Sequence, residues 1–227
     1  MRIFLNPLII CLTVALAGVL GPNVAFSNEE EALAELKQVA FNFRETAPGV
    51  YRSGLIPSEA APLLKELGVK TVISFDNDLK RAAREEKKLR ELGIEAVSLP
   101  WSGWDVPEEE VISETISLID SEDHKPILVH CKHGQERTGA AIAAWRIKSQ
   151  NWSFEKAYQE MKSCGFRPFQ YGHLKKYVYE FAREHARVPA GHGDEKAEFG
   201  SPLERMKTNT LSFLYGLRKL NPFLPKD

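Results

Sequence analysis

The ten residues His130-Cys131-Lys132-His133-Gly134-Gln135-Glu136-Arg137-Thr138-Gly139 follow an apolar run, Pro126 to Val129, and precede an alanine-rich, helix-like stretch. A thiol and a guanidinium six positions apart, on a loop entering a helix, are suited to holding a phosphate ester and attacking it. A helix N-terminus presents unpaired N–H groups and partial positive charge, and so binds anions. Gly134 and Gly139 permit backbone conformations in which N–H groups converge on one point. Arg137 offers a planar fork for two oxygens of a tetrahedral phosphate. The same field favours the thiolate at Cys131, the form that can attack phosphorus. Thr138 offers a hydroxyl to the sulfur, and His130 a ring N–H to order the loop. Lys132, His133, Gln135 and Glu136 remain to set substrate preference.

Cleaving a phosphate ester also needs a proton for the leaving oxygen. Asp105 in "PWSGWDVPEEE" is the candidate donor, flanked by Trp101 and Trp104, which would shield it from water. The competing reading makes Asp105 the cap of the following helix, with Glu108 completing a capping box. Asp76 and Asp78 are fallback acids, read more simply as turn and helix-start residues. His130, Cys131 and His133 could suggest a metal site, but they sit together on one loop without a second cluster, so no metal or other cofactor is expected. Cys164 reads as structural; in an oxidising compartment a bond to Cys131 would switch the thiol off. Arg52 in "YRSG" reads as a brace for the domain.

The elements that must position these residues alternate. Two short strands are expected within Leu36–Gly54, about Pro48-Gly49. A helix capped by Ser58 stops at Gly68. Strands at 70–75, 94–100 and 125–131 alternate with helices at 76–93, 105–121 and 137–150. Two more helices follow, at 153–165 and 171–185. The pattern predicts an α/β fold with a central, mostly parallel sheet flanked by helices.

The chain has 227 residues, 43% hydrophobic and 27% charged, with a formal net charge of −1. That accommodates one core and supplies no global field for nucleic acid. Residues 1–27 read as a secretory signal peptide: Arg2, an apolar run to Leu20, then small residues at Ala25 and Ser27. An uncleaved membrane anchor is the rival, and Pro7, Gly18 and Gly21-Pro22 count against it. Export to the periplasm or medium is the expected location. The domain should occupy 28–187, followed by a linker at 188–202 and an amphipathic helix and tail at 203–227 that docks on the domain or weakly meets a membrane.

"HCKHGQERTG" resembles the H-C-x-x-G-x-x-R-[ST]-G loop of the cysteine-dependent phosphatases, the protein-tyrosine and dual-specificity superfamily. "VYRSG", "GVKTVISF" and "VSLPW" stand in the order seen in its small bacterial members. The resemblance covers residues 40–187 and omits both ends. It implies a minimal cysteine-phosphatase fold and two-step hydrolysis through a phosphocysteine. Cys131 would be the nucleophile, Arg137 the clamp and Asp105 the acid and then the base, without a metal. Lys132 and His133 resemble the basic loops of the superfamily's inositol-phosphate and lipid phosphatases, whereas Glu136 does not. Phosphotyrosine or phosphoserine/threonine proteins are the first substrate class, and an exported inositol-polyphosphate or phosphoinositide phosphatase, which export favours, is the alternative. A non-catalytic phosphate-binding module would need neither thiol nor acid.

Overall fold

A computed structural model describes residues 28–185. The proposed signal, linker and tail helix lie outside the described residues. The elements are α1 (Asn28–Val39), β1 (Arg44–Ala47), β2 (Val50–Ser53), α2 (Ala61–Glu66), β3 (Thr71–Ser74), α3 (Leu79–Glu91), β4 (Glu95–Ser98), α4 (Glu109–Asp120), β5 (Ile127–His130), α5 (Glu136–Gln150), α6 (Phe154–Ser163) and α7 (Gly172–His185).

The five strands form one sheet in the order β1-β2-β5-β3-β4. Only β1 runs antiparallel, as the hairpin partner of β2. In the parallel portion Ser53, His130, Ser74 and Ser98 stand level across the sheet. Four chain segments therefore leave the sheet side by side at its carboxyl edge, where open α/β sheets bind ligands. Alternation along β3 and β5 builds two cores. Ile73 and Val129 face a core completed by α4 to α7, and Val72 and Leu128 face one completed by α1, α2 and α3.

Helix α5 is buried from Glu136 to Ile147. Its apolar residues have no single face, as suits a helix enclosed on all sides. Ala140, Ala141, Ala143 and Ala144 let β5, α4, α6 and α7 close around it. This central helix starts directly at the phosphate-type loop, so the loop stands on a helix enclosed by the core.

Two local expectations change. Residues from Leu36 to Val39 are not strand but the end of α1. Glu29, Glu30 and Glu31 favour that helix's N-terminus, and Ala32 and Leu36 are its buried stripe. Ser58 does not cap α2 with its side chain; it opens a 3₁₀ turn, Ser58–Ala60, and the α-helix begins at Ala61 with Pro62 in its first turn. Asp78 and Ser153 do cap α3 and α6, accepting from the amides of Arg81 and Lys156.

Candidate active site

Cys131 is the first residue beyond β5, where its side chain returns to the α5 side of the sheet and is buried. The Gly134 amide donates to its sulfur at 3.2 Å. The Gly134 carbonyl accepts from Arg52 Nη2 at 2.9 Å and from Asn42 Nδ2 at 2.8 Å. One glycine is thus held through both its amide and its carbonyl. Its φ is +64°, and a Cβ there would lie 2.6 Å from the Gly54 nitrogen, so the loop passes against the end of β2 as closely as a backbone can. Arg52 is fully buried, with Nε and Nη1 lacking hydrogen-bond partners among the described residues. Burial pulls its pKa down, while Cys164, Glu160 and Cys131 pull the other way. The expected brace is therefore a brace of the loop itself.

Arg137, near the start of α5, reaches across the carboxyl edge. Its Nη1 donates to the carbonyl of Phe75 after β3, to Asn77 Oδ1 at 3.2 Å and to the carbonyl of Trp101 after β4 at 2.8 Å. All three acceptors gather on Nη1. The Nε–Nη2 edge, the one that forks an anion, takes part in none of these bonds.

The segment after β4 that carries Asp105 crosses over this arginine: a Cβ on Gly103 would stand 3.5 Å from Arg137 Nε. Three contacts hold the segment. Trp101 Nε1 donates to the Asp105 carbonyl at 2.9 Å, His173 Nε2 to the Gly103 carbonyl at 3.1 Å, and Trp104 stacks on Tyr171 with centroids 5.0 Å apart. Asp105 does not cap α4; Glu108 occupies the cap position and makes no side-chain cap bond. Nor is Asp105 shielded as expected. Trp101 turns into the core, edge-on to Phe75, and Trp104 turns toward Tyr171, which leaves Asp105 exposed.

Asp76 is fully buried and held by both Arg81 Nε and Arg81 Nη2, the latter at 2.7 Å. Burial would raise its pKa, but the Arg81 hydrogen bonds and charge hold it below the usual carboxylate range. It remains ionised and engaged, and Asp78 is a helix cap, so neither fallback acid fits a proton donor.

Several loop residues stand differently from expectation. The Thr138 hydroxyl is fully buried and has no partner among the described residues; the sulfur takes its hydrogen bond from Gly134 instead. Gly139 is already helical, its amide given to the Gln135 carbonyl at 3.0 Å, so it does not face a phosphate. His130 does not order the loop. Strand alternation turns its ring to the opposite face, where Nε2 forms an ion-pair contact with Glu85 Oε1 at 3.1 Å. Burial would raise the Glu85 pKa, but His130 and Ser74 hold it down. Gln135 rests its side chain against Gly165. Glu136 is buried and accepts from Arg167 Nε at 2.7 Å, so its charge is neutralised rather than presented to a substrate. Lys132 and His133 are exposed on the rim. Burial lowers the His133 pKa, as do Lys132, Arg167 and Arg137, with Glu136 opposing.

Asn42, Asn77, Arg167, Tyr171 and His173 are parts of this site that sequence reading missed. They lie far from the loop in the chain, in unremarked loops and helix starts. Among the described residues, no group of three or more His, Cys, Asp or Glu could hold a metal ion, and no helix is long and apolar enough to cross a membrane.

A buried thiol before a central helix, an arginine tied to two strand ends and an aspartate segment laid over it define a cysteine-phosphatase type of site on a largely parallel sheet. Residues 28–176 match the family model "DSP-PTPase phosphatase fused to NAD+ Kinase", and the chain belongs to that family. It is 38% identical over 135 residues to the dual specificity protein phosphatase TpbA of Pseudomonas aeruginosa strain UCBPP-PA14, spanning 60% of each chain. It is 33% identical over 129 residues to the inositol diphosphatase DSP5 of Arabidopsis thaliana, spanning 54% of this chain and 61% of that one. The crystal structure of P. aeruginosa TpbA superposes with a TM-score of 0.53 at 31% identity, covering 65% of this chain and 92% of that one.

Proposed function

We propose that this chain is a cysteine-dependent phosphomonoester hydrolase that acts on phosphotyrosyl and phosphoseryl or phosphothreonyl proteins. The observation that carries the reading is the Cys131 sulfur at the entrance to α5, with the Gly134 amide on it and Arg137 locked through Nη1 alone. The Cys131 thiolate attacks phosphorus, the P–O bond to the leaving group breaks, and Asp105 gives its proton to that oxygen. The free edge of Arg137 and the loop amides hold the equatorial oxygens as charge builds. The Asp105 carboxylate then takes a proton from water, water attacks phosphorus, and the S–P bond breaks to release phosphate and thiolate. Export through residues 1–27 belongs to this reading and rests on the pattern of that segment alone.

A second reading, hydrolysis of inositol polyphosphates, draws support from the exposed Lys132 and His133 and from the likeness to an inositol diphosphatase. The deciding experiment compares kcat/KM on phosphotyrosyl peptides and inositol hexakisphosphate, with chelator present. Cys131→Ser should abolish turnover, and the wild type should be inhibited by vanadate. Asp105→Asn should slow alkyl phosphates more than activated aryl phosphates. Turnover by the serine variant would remove the mechanism.

A further inference from the structure

Among the described residues, the large hydrophobic side chains that remain exposed, apart from Val39 at the end of α1, are not scattered. Phe41 (61% exposed), Leu79 (70%), Trp104 (47%), Val106 (54%) and Phe169 (64%) all lie on segments that touch the phosphate-type loop or its arginine. The Phe41 carbonyl accepts from the Gly54 amide at 2.7 Å, and Gly54 packs against the backbone of Lys132 and His133. Leu79 stands two residues beyond Asn77, which accepts from Arg137. Trp104 and Val106 flank Asp105. Phe169 lies between Arg167, bonded to Glu136, and Tyr171, stacked on Trp104. Single exposed apolar residues need no explanation, but a ring of them around one site marks an interaction surface.

We propose that this apolar crescent seats the hydrophobic side chains on either side of the phosphorylated residue of a peptide substrate. The proposal rests on the phosphoprotein reading of the site and adds what that substrate must look like. The phosphate site at its centre fixes what the occupant carries. The strand order fixes where its neighbours go. The strand leading into Cys131 lies between β2, on the Phe41 side, and β3 and β4, on the Leu79, Trp104 and Val106 side. Adjacent strands are about 5 Å apart and an extended peptide advances about 3.3 Å per residue. A chain crossing the loop thus brings residues one and two positions either side of the phosphoresidue over the crescent.

Charge argues against the other occupants. Asp78, Asp105, Glu108, Glu109 and Glu110 are exposed beside Leu79, Trp104 and Val106; Lys80 and Arg81 are the cations in these segments, with Arg81 paired to Asp78, and the exposed Lys132, His133 and Arg167 lie on the Phe41 and Phe169 side. A soluble polyphosphate would meet these acids and have no use for apolar contacts. An anionic lipid surface would be repelled along the acidic side of the arc, at Asp105 and Glu108 to Glu110. A peptide with one phosphate, apolar flanks and no further negative charge fits both the loop and the rim.

The test uses two phosphotyrosyl peptides of equal charge, one with Leu or Phe at the two positions on each side and one with Ser there, and an aryl phosphate as control. Wild type should show kcat/KM about 10-fold higher for the apolar peptide, the yield of burying one such side chain. The combined Phe41→Ser, Leu79→Ser and Phe169→Ser variant should lose that preference while keeping aryl phosphate turnover and its melting temperature. If that variant does not fold, the wild-type peptide comparison decides alone. Equal rates on the two peptides would overturn the crescent and leave the phosphoprotein reading intact. Aryl phosphate turnover with neither peptide cleaved would overturn both. A wild type that cosediments with phosphatidylserine vesicles through these residues, with no peptide preference, would assign the rim to a membrane and overturn it too.

Discussion

The ring of His173, in the first turn of α7, is hydrogen-bonded through Nε2 to the backbone carbonyl of Gly103, 70 residues earlier, at 3.1 Å. A carbonyl only accepts, so Nε2 carries the proton. Gly103 lies over Arg137 and two residues before Asp105, and the histidine thereby fixes the height of the acid segment above the loop. It acts through the segment and is a positioning residue.

His173→Ala should therefore lower kcat on alkyl phosphates about 10-fold, the worth of one hydrogen bond of about 1.4 kcal/mol, with a smaller loss on activated aryl phosphates and little change in KM. His173→Gln, which keeps a donor, should recover part of it. Equal losses on both ester types would mean that the bond serves stability alone. Burial lowers the His173 pKa, with Gly103 and Asp105 opposing. A lowered folded-state value means that the neutral ring's contribution is complete above the unfolded value of about 6.5. It is lost as pH falls through the folded value, and His173→Gln should flatten that part of the stability profile in thermal melts.

Gly134 and Gly139 look equivalent in the sequence and should not behave alike. Gly134→Ala places a Cβ into the Ser53–Gly54 backbone at a φ of +64° and should cost about 3 kcal/mol, with loss of activity as the amide leaves the sulfur. At Gly139 the nearest atoms to a Cβ are Arg52 Nη2 and Met161 Cγ at 3.7 Å, an ordinary contact in a helix. Gly139→Ala should leave turnover near wild type and shift stability by no more than about 1 kcal/mol. Denaturant unfolding of the two variants, paired with aryl phosphate kinetics, checks both.

The Glu136–Arg167 ion pair joins the phosphate-type loop to the segment between α6 and α7. Glu136 is buried while Arg167 is half exposed, so the partners are unequal. Arg167→Ala leaves an uncompensated carboxylate beside an anion site and should raise KM for phosphate esters about 10-fold, a coupling of about 1.4 kcal/mol. Glu136→Gln in the same chain should restore most of the loss. A double-mutant cycle measures the coupling, and additive effects would separate the pair from substrate binding.

Arg81→Ala strands the buried Asp76 carboxylate and should destabilise the domain by about 3 kcal/mol at neutral pH. Because Asp76 has its folded pKa held down, the pair's contribution is full above the unfolded carboxylate value of about 4 and is lost as pH falls through the lower folded value. The gap between wild type and Arg81→Ala should narrow over that acid range in urea titrations.

Ten consecutive residues carry the proposed chemistry in readable form. Cys131, Gly134 and Arg137 are placed by local spacing on a strand-loop-helix unit, and alternating apolar runs made the parallel sheet legible as well. The roles inside the loop were less legible. Thr138 and Gly139 fall on helix α5, His130 turns to the other face of its strand, and Glu136 finds a cation 31 residues away. A one-residue step reverses a strand side chain, and a single turn decides whether an amide faces a ligand or its own helix.

By itself the sequence determined the sheet and singled out the proposed nucleophile and clamp, because these depend on neighbours in the chain. Tertiary structure alone decided the rest. Arg52 and Asn42 hold the loop from β2 and the segment before β1, Phe75 and Trp101 hold the arginine, and His173 and Tyr171 hold the acid segment. These contacts exist because four parallel strands end level and distant segments close over that edge, a geometry set by packing across the whole core.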